Sequence, residues 1–130
     1  MSLEVSFQHE RRHLVATVGG RWEPTAITAG LTLIRDTARQ MAYSRILIDA
    51  STLSPPRVDF YRFLAGQDLA ALFPLPCKVA VVCQAKWITK FAENVAVNRG
   101  ARVLVCADRV EALGWLLEER AIQATRSAKA

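Results

Sequence analysis

The chain has 130 residues, 52% of them apolar, and no low-complexity segment, so one globular domain is expected without disulfide or metal cross-links. No apolar stretch reaches the roughly 20 residues that a membrane span needs. The first residues lack the basic and apolar regions of a secretory signal. Three cysteines, an odd number, suit a reducing compartment, and we therefore expect a cytoplasmic protein.

The net charge of +5 arises from 17 basic and 12 acidic residues. Three of the basic residues, Arg120, Arg126 and Lys129, lie in residues 120–130, which contain no acid. We predict a single domain over residues 1–119 and a basic tail over 120–130, either a helix extension or disordered. Because a nucleic-acid surface gathers basic residues on one ordered face, this distribution predicts no nucleic-acid partner.

The chain begins with two alternating segments, residues 3–9 and 12–18, which predict a β-hairpin. A two-residue turn at 10–11 would pair Phe7 with Leu14 and place the apolar side chains of both strands on one face. Glu-Arg is a poor pair for such a turn, so a longer loop remains open.

A helix follows the hairpin. Gly19 and Gly20 end the second strand, and Pro24 suits the first turn of a helix. Apolar residues then recur at spacings of three and four, which predicts a helix of about five turns. These residues are Ile27, Leu31, Ile34, Ala38 and Met41.

Three short apolar runs, Arg45–Ala50, Cys77–Gln84 and Arg102–Cys106, are separated by segments of helix length. Runs of this kind are typical of strands buried on both faces of a parallel sheet. The middle run, which follows Pro74 and Pro76, is expected at the centre of a βαβαβ core.

The segments between and after these runs are predicted to be helices. Residues 58–73 form one, and residues 87–99 form another that ends at Gly100 as a left-handed cap. Asp108 and Glu111 have the spacing of a capping box and open a last helix. Its predicted apolar side consists of Val110, Leu113 and Leu117.

The element order β-β-α-β-α-β-α-β-α predicts an α/β fold with a mixed sheet of about five strands, the first antiparallel at one edge. Right-handed crossovers are nearly obligatory, so the helices should lie mainly on one face of the sheet. Every helix would do so if successive strands are neighbours. An open second face would then be apolar and would require a partner chain or other cover.

Two segments, Ala96-Val-Asn-Arg-Gly100 and Ala107–Leu116, carry a family resemblance. They resemble the C-terminal signature of small bacterial STAS-like proteins, the SpoIIAA-like relatives of anti-sigma-factor antagonists, which are related in fold to CRAL-TRIO lipid-transfer domains. The element order extends the resemblance to residues 3–119. It implies a curved sheet flanked by helices, frequent dimerisation and no catalysis. We therefore expect a non-catalytic regulatory or protein-interaction module that forms homodimers and has a regulatory protein partner.

The chain departs from the antagonist pattern at the phosphorylated serine. That serine belongs to an Asp-Ser-Ser-Gly-like motif at the start of the helix after the third strand, a position that falls near Arg57 and Val58 here. The motif is absent. Ser51 and Ser54 lie nearby, and a phosphate on either could be held by helix N-terminal amides. Ordinary loop hydroxyls are the favoured interpretation.

Other chemistry has little support in the sequence. His9 and His13 fall on opposite faces of the predicted hairpin, so no metal site is expected. Cys83 and Cys106 end adjacent strands, and a redox pair is conceivable, but small buried residues are favoured because no Cys-x-x-Cys motif is present. No cofactor-binding motif is present, and no cofactor is predicted. An enzyme would require a residue such as Asp49 in a buried cleft.

The alternative function depends on position in the fold. In open parallel sheets, ligands bind beyond the carboxyl ends of the strands, and a carrier or sensor of a small anionic or lipid-like ligand is therefore the second hypothesis. The residues expected at that edge are Arg21, Trp22, Asp49, Ser51, Ser54, Arg57, Gln84, Lys86, Trp87, Lys90, Asp108 and Arg109. The competing interpretation is that the tryptophans close the core and the arginines are solvated.

Overall fold

A computed structural model of the chain describes residues 3–118, which form one sheet and its helices. The strands are β1 Glu4–His9, β2 Leu14–Gly19, β3 Arg45–Asp49, β4 Lys78–Val82 and β5 Arg102–Cys106. The helices are α1 Pro24–Gln40, α2 Asp59–Leu72, α3 Phe91–Asn98 and α4 Arg109–Leu116, with a 3-10 turn at Ala85–Trp87. The sheet order is β1-β2-β3-β4-β5, with β1 antiparallel to β2 and the other pairs parallel. The predicted fold class and element order are confirmed.

The described residues test the prediction about membrane spans and do not include the predicted basic tail. The basic tail expected at 120–130 lies outside them. Among residues 3–118, none of the helices has both the length and the apolar character that crossing a membrane requires.

Strand β4 has the interior position that its sequence predicts. It pairs in parallel with β3 on one side and with β5 on the other. Val79 and Ala80 are both fully buried, although successive side chains of a strand point to opposite faces. Both faces of β4 are therefore covered, which explains why the run is apolar without alternation.

The hairpin differs from the predicted register. Phe7 pairs with Ala16 rather than with Leu14, so the predicted two-residue turn is wrong. Residues 10–13 form the loop, and the Glu10 amide donates to the His13 carbonyl across it at 3.1 Å. Because the shift is even, the apolar side chains of both strands remain on the same face.

Helices α1, α2 and α3 pack on one face of the sheet, as expected for crossovers of one hand between neighbouring parallel strands. Their buried residues share one cluster with the side chains of four strands. Its members include Leu14, Ala16, Ile34, Ile46, Ile48, Phe73, Val79, Ala96 and Val103. This cluster is the main core.

Helix α4 lies on the opposite face, so the expectation that every helix shares one face is wrong. Ala112 and Leu116 of α4 pack with Val15, Leu47 and Ala80. No described strand follows α4, and the handedness of crossovers therefore places no restriction on it. The second face is not open, because α4 provides the further cover that an apolar face was expected to require, and β1 presents exposed polar residues there, namely Glu4, Ser6 and Gln8.

The apolar side predicted for α4 is correct at Leu113, which packs against the cluster beneath the helix, and wrong at Val110. Val110 is 78% exposed, whereas Ala112 and Leu116, four residues apart, are fully buried. The carboxylate of Asp108 accepts from the Val110 amide at 3.0 Å and caps the helix as predicted. That cap places Val110 in the first turn, where its side chain is directed to solvent.

Helix α3 begins four residues later than its sequence suggests. The 3-10 turn ends at Trp87, and Lys90 then adopts a left-handed conformation with φ of +63° before Phe91 opens the helix. A non-glycine residue in this region interrupts a helix. Residues 84–90 consequently form a separate segment beside the carboxyl ends of the strands. Gly100, with φ of +94°, ends α3 as expected.

Candidate ligand-binding site

A cavity of about 140 Å³ lies between the sheet and helices α1, α2 and α3. The sheet contributes side chains from the carboxyl-terminal halves of the parallel strands, namely Val18, Ile48, Val81 and Val105. The helices contribute Ile27, Leu31, Ile34 and Leu69. The cavity therefore occupies the edge of the sheet at which open α/β folds bind ligands.

Small residues on the helices leave this space unfilled. Gly30 of α1, Ala65 of α2 and Ala92 of α3 all line the cavity. A Cβ atom at Gly30 would lie 2.8 Å from Cδ2 of Leu3, so a larger side chain there would displace the end of the Leu3 side chain. Since larger residues at Ala65 or Ala92 would project into the cavity, its volume depends on their small size.

Two tryptophans border the cavity. The backbone amide of Trp22 donates to Oγ of Ser54 at 2.8 Å, which holds the chain after β2 against the loop after β3. The indole nitrogen of Trp22 is buried and makes no hydrogen bond with the described residues. Trp87 lies at the end of the 3-10 turn and is 38% exposed, so it stands where the cavity approaches solvent.

Arg62 of α2 brings a charge to the same wall. Its Nη1 donates to Oδ1 of Asp59 at 3.0 Å, and its Nη2 donates to the Trp87 carbonyl at 3.2 Å. The guanidinium therefore has an acidic partner and also ties α2 to the segment before α3.

Lys90 and Glu93 close the side of the cavity at the outer edge of β5. The ammonium of Lys90 donates to Oε1 of Glu93 at 3.0 Å and to the Val105 carbonyl. The same Glu93 oxygen accepts from the Val105 amide at 2.5 Å. Both backbone groups of Val105 on this edge are thus satisfied by side chains, an arrangement that prevents another strand from pairing there.

The predicted site residues separate into two groups. Trp22, Ser54, Trp87 and Lys90 line the cavity. Arg21, Asp49, Ser51, Arg57, Gln84, Lys86, Asp108 and Arg109 are not part of its wall. On β3 this separation follows from the alternation of side chains along a strand. Ile48 points to the cavity, and the next residue, Asp49, points to the face that α4 covers.

Asp49 belongs to a separate polar cluster. Its Oδ2 accepts from Nη1 of Arg109 at 3.0 Å, and its Oδ1 accepts from Oγ of Ser51 at 2.7 Å. Nε2 of Gln84 donates to the Ser51 carbonyl at 3.0 Å. These bonds join β3, α4 and the loop after β4. The Asp49 carboxylate therefore lies outside the cavity and links these segments through its hydrogen bonds.

The two serines considered for phosphorylation both hold local structure. Ser51 donates to Asp49, and Ser54 accepts from the Trp22 amide. A phosphate on Ser51 would lie beside the Asp49 carboxylate, which disfavours it by repulsion of like charges. Phosphorylation of either serine stays a prediction.

Cys83 and Cys106 lie on opposite sides of the sheet. Cys83 lines the cavity, whereas Cys106 packs in the cluster beneath α4. The redox pair that adjacent strand ends suggested is therefore incorrect, because Val82 pairs with Cys106 and the next residue, Cys83, points to the opposite face. Burial raises the pKa of both thiols above the ordinary cysteine value.

The histidines are also apart. His9 stacks on Tyr43 with 6.1 Å between ring centroids, on the side of β1 and β2 opposite to His13. Burial lowers the pKa of His13. Among residues 3–118, no group of three or more metal-ligating side chains converges.

Two cavity residues, Arg62 and Glu93, were not foreseen from the sequence. Each has an oppositely charged residue three positions earlier, Asp59 and Lys90 respectively. Such pairs are usually solvent-exposed features of a helix surface. Only the packing of α2 and α3 beside the sheet brings these two side chains to the cavity.

Comparisons with solved structures show the fold. An anti-sigma factor antagonist from Mycobacterium paratuberculosis matches with a TM-score of 0.61 and 14% identity over 88% of this chain and 94% of that chain. An uncharacterised DUF3478-family protein of SpoIIAA-like fold from Shewanella loihica matches with a TM-score of 0.50 and 18% identity over 88% and 93%. No protein-family model and no curated protein matches the chain. The chain has a SpoIIAA-like fold, as its sequence signature implied.

Proposed function

We propose that this protein is a non-catalytic STAS-like regulatory module that acts through protein contacts and forms a homodimer. The fold that it shares with an anti-sigma factor antagonist supports this class of function. The observation that carries the proposal is an exposed apolar surface at the start of α2. Val58 is 51% exposed and Phe60 is 60% exposed, although large apolar side chains are normally buried.

The α2 surface, defined as Val58, Phe60, Phe63 and Arg99, has the composition of an interface. Phe60 stacks on Phe63 with ring centroids 6.1 Å apart, and the Arg99 guanidinium lies 5.7 Å from the Phe63 ring. Aromatic residues and arginine dominate the energetics of protein interfaces. The same surface on a second copy would bury these rings on both chains.

The dimer predicts a specific response to mutation. Light scattering coupled to size-exclusion chromatography should show a dimer whose dissociation constant rises about tenfold or more in Phe60→Ser, because an interface aromatic is lost. The matched control is Val110→Ser, which removes an exposed apolar side chain from α4 and should leave the dimer intact. A monomer at every concentration, or equal weakening by both changes, would contradict the proposal.

A second candidate function is favoured by the cavity. We propose that the protein carries or senses a small ligand that binds at the carboxyl ends of the strands. In its broadest form, this hypothesis includes anionic and lipid-like ligands. The supporting observation is an apolar space bordered by Trp22 and Trp87 at the edge where ligands bind in this class of sheet.

Native mass spectrometry of the purified protein and a tryptophan fluorescence titration test this candidate. A bound small molecule is expected, and its titration should shift the emission, with the shift reduced in Trp87→Phe. Arg57→Ala is the control and should bind normally, since Arg57 lies outside the cavity wall. If no compound of any charge or chain length binds, this function is wrong.

A further inference from the structure

We infer that the ligand of this cavity is a small uncharged molecule, about the size of one aromatic ring. The inference rests on the candidate function of a ligand carrier or sensor, and it replaces the anionic or lipid-like ligand of that hypothesis with an uncharged one. Three features of the cavity carry it, namely its volume, the pairing of its charged groups and the chemistry of its wall.

The volume of the cavity limits the size of the ligand. The cavity measures about 140 Å³. An apolar protein cavity of about 150 Å³ holds benzene. The occupant that matches this cavity is therefore one aromatic ring or a short branched chain of similar volume. A long chain of a membrane lipid exceeds this volume, so most of it would have to extend past Trp87 into solvent. Of the two ligand types in the broader hypothesis, the lipid-like one is therefore disfavoured by size.

The charged groups of the wall disfavour an anion. They are Arg62, Lys90 and Glu93. Arg62 is paired with Asp59 at 3.0 Å, and Lys90 is paired with Glu93 at 3.0 Å. Within the described chain, the wall thus holds two basic groups that each have an acidic partner, so a carboxylate or a phosphate would have to compete with Asp59 or Glu93 for either cation. A buried charge without a partner is strongly unfavourable.

The remaining wall is suited to a neutral ring. Indole rings from Trp22 and Trp87 and aliphatic side chains such as Ile34 and Leu69 surround the space. The hydroxyl oxygen of Ser54 already accepts from the Trp22 amide. Flat aromatic surfaces beside aliphatic ones favour an apolar molecule that packs in offset or edge-to-face geometry.

Fluorine NMR of the full chain with fluorobenzene and 4-fluorobenzoate measures this preference at neutral pH. Both probes have one ring, and they differ by a carboxylate that is ionised under these conditions. Fluorobenzene should show saturable binding, and 4-fluorobenzoate should bind about tenfold more weakly or not at all. Dodecanoate serves as the long-chain probe and should not displace fluorobenzene.

Substitutions that fill the cavity with a larger side chain test whether fluorobenzene binds there. Ala65→Leu should abolish fluorobenzene binding, because Ala65 is buried in the wall. Ala71→Leu makes the same change at an exposed position of the same helix and should leave binding unchanged. Ala92→Leu fills the cavity from α3 and provides a second test if the circular dichroism melt shows that Ala65→Leu is unfolded.

The outcomes separate this inference from the function on which it rests. If 4-fluorobenzoate or dodecanoate binds at least as well as fluorobenzene and Ala65→Leu removes that binding, the cavity is a ligand site but its ligand class is wrong. If none of the three probes binds the folded wild-type chain, the ring-sized ligand is excluded. Fluorobenzene binding that survives both filling variants would show that the molecule binds elsewhere and would overturn the inference.

Discussion

Replacing Gly66 by alanine is expected to lower the free energy of unfolding by about 1–3 kcal/mol, although alanine is the better helix former by about 1 kcal/mol. Gly66 lies in α2 where that helix packs against α3. A Cβ atom there would lie 2.6 Å from the Ala92 carbonyl oxygen and 2.7 Å from Cβ of Val95. Neither is the end of a flexible side chain, so the two helices would have to move apart.

Gly114→Ala is the matched control, because Gly114 also lies within a helix. An added Cβ at Gly114 would meet no atom within 4 Å. Only the helix-propensity gain then applies, and the free energy of unfolding should rise by up to about 1 kcal/mol. Urea denaturation of both variants, monitored by circular dichroism, gives the comparison. Stabilisation by both changes would show that α2 and α3 do not pack as closely as described.

Lys78→Ala is expected to lower the free energy of unfolding by about 2–4 kcal/mol through the cavity that it leaves beneath α4. Lys78 is only 4% exposed. Its ammonium donates to the Trp115 carbonyl and lies 4.4 Å from the centroid of that indole ring. The aliphatic stem fills the space between β4 and α4, and the charge is directed to the carboxyl-terminal turn of the helix.

Lys78→Met separates the packing of the stem from the effect of the charge. Methionine keeps most of the aliphatic volume and removes the buried ammonium, and such replacements are often neutral or stabilising. At pH 7 we expect its free energy of unfolding to lie within about 1 kcal/mol of the wild-type value. Guanidinium denaturation measures both variants. An equal loss in methionine and alanine would indicate that the hydrogen bond to Trp115 dominates over packing.

The same lysine predicts a pH dependence. Burial, and after it the nearby charge of Arg102, lowers the pKa of Lys78 below its ordinary value of 10.5. Between the folded pKa and 10.5 the unfolded chain binds more protons than the folded one, so stability rises with pH across that range. The wild type should therefore gain stability relative to Lys78→Met as pH increases toward 10.5. A relative loss would contradict the direction of this shift.

The centre of the sheet could be predicted from the sequence because β3 and β4 are buried on both faces. Such strands are apolar at successive positions, as Leu47 and Ile48 of β3 and Val79 and Ala80 of β4 show. The position of α4 could not be predicted, since no crossover constrains a helix that no further strand follows. The start of α3 was missed because the left-handed conformation of Lys90 is not visible in a helical pattern of residues.

The sequence predicts the edge of the sheet at which the cavity lies more accurately than it predicts the residues of the cavity wall. The cavity lies at the carboxyl ends of the strands, and Trp22, Trp87 and Lys90 line it, while ligand binding there stays a prediction. The position of a residue at the end of a strand does not determine the face of the sheet to which its side chain points. The side chain of Asp49 points to the face that α4 covers. Arg62 reaches the cavity from the side of a helix, a relation that depends on tertiary packing alone.

The location of α4 also has a consequence for truncation of the chain. A chain that ends before Arg109 would keep all five strands and would lose the helix that covers one face of the sheet. Val15, Leu47 and Ala80 would then meet water on that face, and exposed apolar patches of this kind promote aggregation.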